Sequence, residues 1–511
     1  MALPSTSAET SKGVSPLPAA LLIAAVVLLV RTGTFLTEHI DSDEWAYMLM
    51  GADVAKGHLP FVHQFDLKPP MVFLLFGAVI AMFGKSLLAI RAIGAMSVFI
   101  ASFFVFLIAR RAVGGWPALA GALMTVALCS GVIGLDTSSE LPAIAFLMPA
   151  VWLLIRNDAI GVRDAAGCGL LASLAVLTRT NLAVVALAFG LLLVVLSAQR
   201  SRRCTRLGWL AYGAAGLVPP AVLATIYALA GEFGTFRLAM IDVPLAYSGQ
   251  LSALEVLRLH ATQYYYTAQI APFTYVPMTL LAATGLVAST RPVHRDSPGA
   301  ARVVLLAWTG LLAVGASLLI GGAAYPHYWL QAMPFLGIFA TFAIAAAARM
   351  KKMSAIALSL AGALAAVPPV TALAMGIPRT LALLRHPESI DHSIRDAADW
   401  IRERGGAHVQ VWALHMHLVL YYLDASPLSR AGVYPSNLAR KAIIGTLSRQ
   451  GYVGTDETGR IMASIPRFVV TDRMERGRKW VREAGKDIDG WLAAHYQLAA
   501  RFGDVEIYER I

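Results

Sequence analysis

The chain carries a dense polar segment, Asp41-Ser42-Asp43-Glu44-Trp45-Ala46-Tyr47, directly after its first strongly apolar run, which extends from about Leu17 to Val30. A second polar stretch, Phe65-Asp66-Leu67-Lys68-Pro69-Pro70, follows, and almost everything around the two is apolar. Charged groups are costly to place at the edge of a membrane, so such a cluster indicates a functional site by default. The two segments predict a chain folded around a polar site at a membrane surface.

The composition is typical of a polytopic membrane protein. Of the 511 residues, 57% are hydrophobic and only 14% are charged, and the mean hydropathy is +0.63. The net charge of +11 comes largely from arginine and lysine in short loops between apolar runs, as the positive-inside rule predicts. The sequence has no basic stripe interleaved with aromatic residues, which argues against a nucleic-acid partner.

Eleven apolar runs predict about eleven transmembrane helices. They lie at about 17–30, 88–109, 116–133, 141–155, 165–178, 181–198, 207–230, 272–290, 302–320, 329–347 and 354–376. A shorter run, Met71 to Phe83, hardly crosses a hydrocarbon core of about 30 Å, and we expect a re-entrant or interfacial helix there. The basic loops between the runs place the N-terminus in the cytoplasm and the C-terminus outside.

This pattern divides the chain into three regions. We expect a disordered cytoplasmic N-terminus over 1–14, a transmembrane domain over 15–377 with its first outer loop at 35–87, and a soluble periplasmic domain over 378–511. In the last region charges of both signs intermix. Strands are predicted at 409–412 and 467–470, and helices at 391–404, 437–450 and 474–495. This alternation predicts a small α/β domain.

The acidic residues of the first outer loop have a structural and a chemical interpretation. Asp41-x-x-Glu44 has the form of a capping box for a helix over about 42–56, which Gly57 would end. Acids in a first helical turn are also stabilised by the helix dipole. This explains Asp41 and Glu44 but gives Asp43 no role. Asp43 is therefore a candidate for a catalytic role, with Glu44 as a second candidate.

The stretch that contains His63, Asp66 and Lys68 leads into two prolines, whose restricted backbone fixes where these side chains point. A lysine at this level is usually a snorkelling surface residue. Beside a phosphate at the bilayer surface it is a suitable point charge. His63 and Asp66 could also bind a divalent cation with Asp43 or Glu44, although single solvated side chains are the commoner arrangement.

A later aromatic segment, Tyr325-Pro326-His327-Tyr328-Trp329-Leu330-Gln331, opens a span on the same side of the membrane. Aromatic residues at this level commonly form an interfacial belt. His327 and Gln331 are four residues apart, so they share a helix face and could both line a cavity. In the outer domain, His415 and His417 are two residues apart, a spacing that only weakly favours metal binding.

The chain resembles the polytopic GT-C glycosyltransferases of the protein-mannosyltransferase and aminoarabinose-transferase type. The resemblance covers about residues 15–350 and rests on Asp43-Glu44-x-x-Tyr47, Gly57-x-x-Pro60-Phe61, Asp66-x-Lys68-Pro69-Pro70, Phe83-Gly84 and His327-Tyr328-x-x-Gln331-x-x-Pro334. It implies a GT-C fold, a sugar donor linked to a polyprenyl phosphate, and an acceptor hydroxyl on the outer face. By the same resemblance, Asp43 would engage the acceptor and Lys68 would hold the donor phosphate.

The chain departs from the aminoarabinose-transferase pattern at two positions: Leu67 stands where those relatives have a glutamate, and Ala46 where they have an arginine. The implied chemistry still suits the residues. A carboxylate can take the proton that an attacking hydroxyl must lose. A lysine, an arginine or a bound cation would stabilise the leaving phosphate. Direct attack would invert the anomeric centre.

We therefore expect a glycosyltransferase of the bacterial inner membrane, whose acceptor is a lipid such as lipopolysaccharide, another glycan or a protein. The expected catalytic residues are Asp43 and Glu44, and the expected substrate-binding residues are Lys68, Asp66, Tyr47, His63, His327, Tyr328 and Gln331. The alternative is a transporter or flippase of a lipid-linked sugar. That function would need polar residues spread through the spans and a midplane site, whereas here the acids lie in the outer loops.

Overall fold

The computed structural model describes residues 13–38, 40–198, 206–248, 251–291, 298–349, 354–406, 409–434, 436–473 and 487–511. Two expectations fall partly outside these ranges: the disordered N-terminus, of which residues 1–12 are not described, and the helix predicted at 474–495, of which only the end is described. That end forms a helix at Ile488–His495.

In the described part of the chain up to Arg385, helices are joined by loops. Its helices are α1 (Pro16–Phe35), α2 (Ser42–Ala55), α3 (Pro70–Phe83), α4 (Leu87–Val113), α5 (Gly115–Leu128), α6 (Glu140–Leu153), α7 (Val162–Thr178) and α8 (Ala183–Ala198). The next helices are α9 (Arg206–Leu229), α10 (Phe233–Arg237), α11 (Val243–Tyr247), α12 (Ala253–Ile270), α13 (Pro272–Ser289), α14 (Pro298–Ile320), α15 (Met333–Ala348) and α16 (Ser354–Arg385). Short 3-10 turns occur at Thr180–Leu182 and Pro326–Gln331.

Each of the eleven predicted spans corresponds to a helix, namely α1, α4 to α9 and α13 to α16. Within the described ranges, seven helices are long and apolar enough to cross a membrane. The others among the eleven are shorter: α5 and α6 have 14 residues, α15 has 16 and α7 has 17. The predicted short helix is α3, with 14 residues. The last span is longer than predicted, because α16 continues to Arg385.

The bundle helices approach one another closely where small residues face each other. A Cβ atom added to Gly285 of α13 would lie 1.8 Å from the carbonyl oxygen of Phe339 in α15, so only glycine fits. Gly337 of α15 likewise faces Gly121 and Thr125 of α5. Contacts between small residues are the usual way in which apolar helices pack in a membrane, where burial of apolar surface offers little driving force.

The C-terminal region forms the small α/β domain that the sequence predicts. Its elements are α17 (Ser393–Gly405), β1 (Val411–Leu414), α18 (His417–Leu423), α19 (Ser436–Ala439), α20 (Lys441–Arg449), α21 (Glu457–Ser464), β2 (Phe468–Asp472), α22 (Ile488–His495), β3 (Tyr496–Phe502) and β4 (Val505–Arg510). The strands form one sheet in the order β1-β2-β4-β3. β1 and β2 are parallel, with Val411 opposite Phe468, and β4 runs antiparallel to both of its neighbours. The hairpin of β3 and β4 was not predicted.

The C-terminal domain and the first loop share one hydrophobic core, which is separate from that of the bundle. Backbone and side-chain hydrogen bonds join them: the N–H of Phe65 donates to the carbonyl of Arg430 at 2.8 Å, and the Asn437 amide donates to the carbonyl of Phe65 at 2.9 Å. The Tyr452 hydroxyl donates to the carbonyl of Phe61. Helices α2 and α3 therefore form a platform between the bundle and the domain.

Candidate active site

A cavity of about 1070 Å³ lies where the platform, the bundle and the C-terminal domain meet. Its walls come from the start of α2, the segment 66–69, the junction of α7 and α8, residues 240–248, the end of α14 with the turn that follows it, and the C-terminal domain. Segments far apart in the sequence thus enclose one space.

Asp43 and Lys68 form an ion pair in the wall of this cavity. The Lys68 Nζ lies 2.9 Å from Oδ2 of Asp43, and the two side chains are 14% and 35% exposed. Tyr47, one turn further along α2, donates its hydroxyl hydrogen to the same oxygen at 3.3 Å, and its ring lies 5.2 Å from the lysine nitrogen. The structure therefore brings together three of the predicted site residues.

Charge sets the ionisation of this pair more strongly than burial does. Burial works to raise the pKa of Asp43, but the positive charges of Lys68 and its other neighbours outweigh it, so the pKa falls below the usual range. Burial works to lower the pKa of Lys68, but Asp43 and the other acidic neighbours together outweigh it and raise this pKa well above its ordinary value. Both groups are therefore charged at neutral pH.

Asp66 and the two prolines hold Lys68 in place. The Asp66 carboxylate accepts a hydrogen bond from the backbone N–H of Lys68 at 3.0 Å, and Asp66 also lines the cavity. Pro69 precedes α3 in an extended conformation, and Pro70 begins that helix. Pro70 lacks an N–H at a position where the helix could not use one, so it favours this start. The Asp-x-Lys-Pro-Pro motif thus fixes where the ammonium group points.

A second ion pair stands at the junction of α7 and α8. The Arg179 guanidinium lies 2.9 Å from Oε1 of Glu140, the first residue of α6, and stacks on the ring of Tyr328 at 4.2 Å. His327 Nε2 is 3.9 Å from the same carboxylate oxygen. Arg179, His327 and Tyr328 line the cavity. The predicted residues His327 and Tyr328 thus reach the site together with an arginine that was not predicted to belong to it.

Gln331 supports the cavity from behind its surface. It is fully buried, and its side-chain oxygen accepts a hydrogen bond from the Asn181 amide at 2.9 Å. Asn181 also donates to the Ser317 hydroxyl at 3.2 Å, and both of these residues line the cavity. Gln331 therefore positions Asn181, and the predicted pairing of His327 and Gln331 on one helix face is not how the site is built.

The C-terminal domain contributes a cation to the cavity. The Arg440 guanidinium donates to the Tyr325 hydroxyl at 2.9 Å and lies 5.5 Å from the ring centre of Tyr247. Burial works to lower the pKa of Arg440, but its neighbours Tyr325, Tyr247 and Tyr328, with a smaller contribution from the Asp43 charge, raise it above its ordinary value. Lys68, Arg179 and Arg440 thus surround the cavity with positive charge from three different parts of the chain.

The carboxyl end of the parallel strand pair also faces the cavity. His415 directly follows β1, Asp472 ends β2, and both line the cavity together with His417. Burial, together with neighbouring His415, lowers the pKa of His417 to about 3, so its imidazole is neutral at neutral pH. Ligand sites commonly lie at this edge of open α/β sheets. The sequence analysis did not predict that β1 and β2 pair in parallel. That pairing would have indicated that residues at the ends of these strands face a ligand site.

Glu44 lies on the other side of α2, away from the cavity. Its Oε1 receives a hydrogen bond from Arg91 Nε at 2.6 Å and its Oε2 one from the backbone N–H of Thr137 at 2.5 Å. Both side chains of the Glu44–Arg91 pair are fully buried. The capping-box interpretation is therefore wrong for Glu44. It holds only for Asp41, which accepts a hydrogen bond from the Asp43 N–H at 2.7 Å.

Arg31 is a basic residue whose position the positive-inside rule does not predict. It is fully buried near the end of α1, and its guanidinium donates to the backbone carbonyls of Cys129, Gly134, Leu135 and Asp136. Backbone carbonyls are acceptable partners for a cation that is removed from water. Arg31 thus ties α1 to the loop before α6, next to the Glu44–Arg91 pair.

His63 does not line the cavity, so the prediction that it binds the substrate is wrong. The cation site that the sequence allowed as a less common alternative, with Asp66 and Asp43 or Glu44, is not formed by the described residues. The His63 Nδ1 is 3.3 Å from Oδ1 of Asp53, which also contacts His58. Two residues before His63, the backbone of Phe61 has a φ of +70°, and the side chain of His63 contacts the end of α2 instead of the cavity.

One flank of the cavity is apolar. Val184 of α8, Leu318 and Ile320 of α14, and Ile241 and Leu245 of the 240–248 segment line it. Ile241, Leu245 and Ile320 are 49%, 69% and 61% exposed. Exposed apolar side chains at the level of membrane helices face lipid rather than water. The cavity therefore has a charged end and an apolar flank, which suits a ligand with a charged head and an apolar tail.

Comparison with known proteins agrees with this architecture. A family model described as dolichyl-phosphate-mannose-protein mannosyltransferase matches residues 67–232. The chain is similar in fold to the crystal structure of ArnT from Cupriavidus metallidurans bound to undecaprenyl phosphate, with a TM-score of 0.65 and 15% identity over 98% of this chain and 99% of that one. No curated protein sequence matches the chain.

A second solved structure shares the fold more distantly. It is the archaeal oligosaccharyltransferase AglB from Archaeoglobus fulgidus in complex with an inhibitory peptide and a dolichol-phosphate, with a TM-score of 0.55 and 13% identity over 97% of this chain and 74% of that one. The fold of the chain is thus that of the GT-C glycosyltransferases, and the resemblance stated from the sequence motifs is confirmed. The family match adds sequence-level support for a glycosyltransferase.

Proposed function

We propose that this protein transfers one sugar from a polyprenyl-phosphate donor to a hydroxyl group of an acceptor, with inversion at the anomeric carbon. The observation that carries the proposal is the meeting of Asp43 and Lys68 in one cavity that has an apolar flank. A polyprenyl tail fits the flank, and a phosphate fits the cluster of cations. The undecaprenyl phosphate and dolichol-phosphate found with the two similar structures support this donor class.

Asp43 is the proposed general base. The acceptor hydroxyl attacks the anomeric carbon, Asp43 takes the hydroxyl proton, and the bond between that carbon and the phosphate oxygen breaks. The bonding electrons leave with the phosphate, whose charge Lys68 and Arg440 are placed to stabilise. Because attack and departure occur on opposite sides of the carbon, its configuration inverts.

Because of the Asp43–Lys68 contact, the strength of Asp43 as a base depends on whether the donor is bound. While Lys68 holds the carboxylate, the pKa of Asp43 is lowered and Asp43 is a poor base. A donor phosphate that binds the ammonium group draws it away from Asp43, and the pKa of the carboxyl then rises towards its ordinary value. The base is thus strengthened once the donor is in place, which disfavours proton removal in the empty site.

The other predicted residues take supporting roles in this proposal. Tyr47 and Asp66 orient Asp43 and Lys68, and His327 and Tyr328 offer hydrogen bonds and an aromatic face to the sugar. Glu44 acts on the fold rather than on the substrate.

We further propose that the protein lies in the inner membrane of a bacterium with its N-terminus in the cytoplasm. The cavity and residues 378–511 then face the periplasm, where this domain covers the site. The basic loops of the sequence support this orientation, and the charge of Arg31 near the end of the first span is stabilised by hydrogen bonds to backbone carbonyl groups. The acceptor is then a lipid, glycan or protein exposed on that side.

A transfer assay tests the proposal. Purified protein is incubated with radiolabelled polyprenyl-phosphate sugars and candidate acceptor lipids and glycans, and the products are separated. We expect a labelled product from the wild type and a loss of about 10²- to 10⁴-fold in Asp43→Asn. Movement of the donor across vesicles without any product would support the transporter instead.

The identity of the acceptor has its own experiment. Mass spectrometry of surface glycans and lipopolysaccharide from a strain that lacks the protein should show the loss of one sugar residue. Restoration by the wild type but not by Asp43→Asn would connect that loss to the cavity.

A further inference from the structure

We infer that Asp53, His58 and His63 form a zinc-binding site on the outer surface of the platform, separate from the cavity. Asp53 lies in the last turn of α2, and the two histidines follow in the loop that leads to Lys68. Within the described residues this is the group of His, Cys, Asp and Glu side chains whose ligand atoms converge closely enough for a metal ion. The inference does not depend on the proposed transferase function.

The three ligand atoms are already at suitable separations. His58 Nδ1 lies 2.7 Å and His63 Nδ1 3.3 Å from the same oxygen, Oδ1 of Asp53, and all three atoms lie within 4.8 Å of one another. In a tetrahedral zinc site with bonds of about 2.0–2.1 Å, neighbouring ligand atoms are about 3.3 Å apart. Small side-chain rotations would therefore admit the ion between them.

The donor set favours zinc over the hard cations. Two imidazole nitrogens and one carboxylate oxygen suit zinc, whereas calcium and magnesium prefer oxygen ligands throughout. The three side chains are 20%, 43% and 49% exposed for Asp53, His58 and His63, so an ion can reach them from solvent. Water can supply the fourth ligand. The neighbouring Lys56 pairs with Asp424 at 3.7 Å and is directed to another partner.

Two hydrogen-bonded histidines on one carboxylate are the competing explanation. In that arrangement both Nδ1 atoms must carry a proton and share a single acceptor oxygen, while the ring centres are only 4.1 Å apart. Any protonation that charges both rings would make them repel. When an ion is bound by both Nδ1 atoms, each neutral imidazole carries its proton on Nε2 instead, and the ion attracts all three groups.

The loop that carries the ligands is held in place by the rest of the molecule. Gly57 takes a φ of +93° directly before His58 and closes the end of α2, with its N–H donating to the Val54 carbonyl at 2.9 Å. Directly before His63, the Arg430 guanidinium donates to the Val62 carbonyl at 2.8 Å. A site whose ligands are positioned before binding loses less free energy to ordering them.

Zinc here would join the end of α2 to the segment that presents Lys68. The same helix carries Asp43 at its start, so the ion would stiffen the connection between the two partners of the cavity ion pair. The expected consequence is a higher unfolding temperature with zinc, because a ligand that binds only the folded state stabilises it.

The test is zinc titration of the purified full-length protein in detergent after chelator treatment, followed by isothermal calorimetry and elemental analysis. We expect one zinc per chain in the wild type and loss of this binding in His63→Ala and in Asp53→Asn. His386→Ala is the matched control, because His386 pairs with Glu388 on an exposed surface, and it should bind zinc like the wild type.

Absence of zinc binding by the wild type, or equal binding by wild type and His63→Ala, would overturn the inference. Since His63 is half exposed, its alanine variant should remain folded, and size-exclusion chromatography with a thermal unfolding curve checks this. The unfolding midpoint should rise with zinc in the wild type and not in His63→Ala. Because this test does not measure sugar transfer, an absence of zinc binding would not contradict the proposed reaction.

Discussion

Asp43 and Glu44 are consecutive residues of one helix, yet they belong to two very different ion pairs. Asp43 meets Lys68 at the cavity, where the lysine and aspartate side chains are 14% and 35% exposed. Glu44 meets Arg91 in the interior, where neither side chain is exposed at all. A pair with access to a ligand can exchange partners. A fully buried pair cannot, since separation leaves an unpaired charge in an apolar interior.

The largest effect should come from breaking the buried pair. Arg91→Leu leaves the Glu44 carboxylate without its partner, and we expect a loss of about 3–5 kcal/mol in the free energy of unfolding. Thermal unfolding in detergent measures it. Arg111→Leu near the other end of α4 is the control, because Arg111 is partly exposed and its loss should matter little. Equal unfolding midpoints for the two variants would contradict the assigned role of the buried pair.

Removing the cavity lysine should affect the donor rather than the fold. Lys68→Ala loses a charge-assisted contact with the donor phosphate, and we expect kcat/KM for the donor to fall about 10- to 100-fold. Steady-state transfer kinetics measure this fall. Lys56→Ala is the control on the same loop, since Lys56 pairs with Asp424 outside the cavity. An unchanged kcat/KM for Lys68→Ala would remove the phosphate assignment.

A smaller effect is expected from the C-terminal domain. Arg440→Ala removes the cation that this domain places over Tyr247 and Tyr325, and kcat/KM for the donor should fall about 3- to 10-fold. Arg402→Ala tests the specificity of that loss, because Arg402 pairs with Asp399 on the exposed surface of the same domain. If both variants behave alike, Arg440 has no particular part in binding.

A pH dependence of stability is also expected at the start of α2. Burial and the Asp43 carboxylate raise the pKa of Asp41 to about 7, whereas an aspartate in an unfolded chain titrates near 3.9. Between these values the folded protein binds more protons, so its stability falls as the pH rises. Asp41→Asn keeps a capping side chain but cannot titrate. Its unfolding midpoint should therefore change less than that of the wild type between about pH 5 and about pH 8. Parallel curves would contradict the raised pKa.

Local patterns in the sequence predicted most of the membrane architecture. Each apolar run predicted as a span coincides with a helix, and so does the shorter run at α3, because the length of an apolar run reports directly on burial in lipid. That Asp43 and Lys68 belong to one site was also expected, through the family resemblance that their motifs carry. The partner of Glu44 was not, since Arg91 is 47 residues away and no local pattern records the contact.

The contributions of the C-terminal domain were beyond sequence reasoning for a similar reason. Arg440 and His417 reach the cavity only because β1 and β2 pair in parallel and the domain packs on the first loop through Phe61 and Phe65. The prediction for His63 failed for the opposite reason, because neighbours in the sequence are separated in the structure. His63 is near Asp66 in the sequence, but the turn at Phe61 directs it to Asp53 on another surface. Non-local packing decided each of these cases.

The most direct measurement compares Asp43→Asn and Glu44→Gln in one experiment, with transfer activity and the unfolding midpoint recorded on the same preparations. The account predicts that Asp43→Asn unfolds like the wild type and loses about 10²- to 10⁴-fold in activity. Glu44→Gln should have a lower midpoint and retain activity per folded molecule. Full activity in a folded Asp43→Asn, or an inactive Glu44→Gln of normal stability, would contradict the division of roles between the two neighbouring acids.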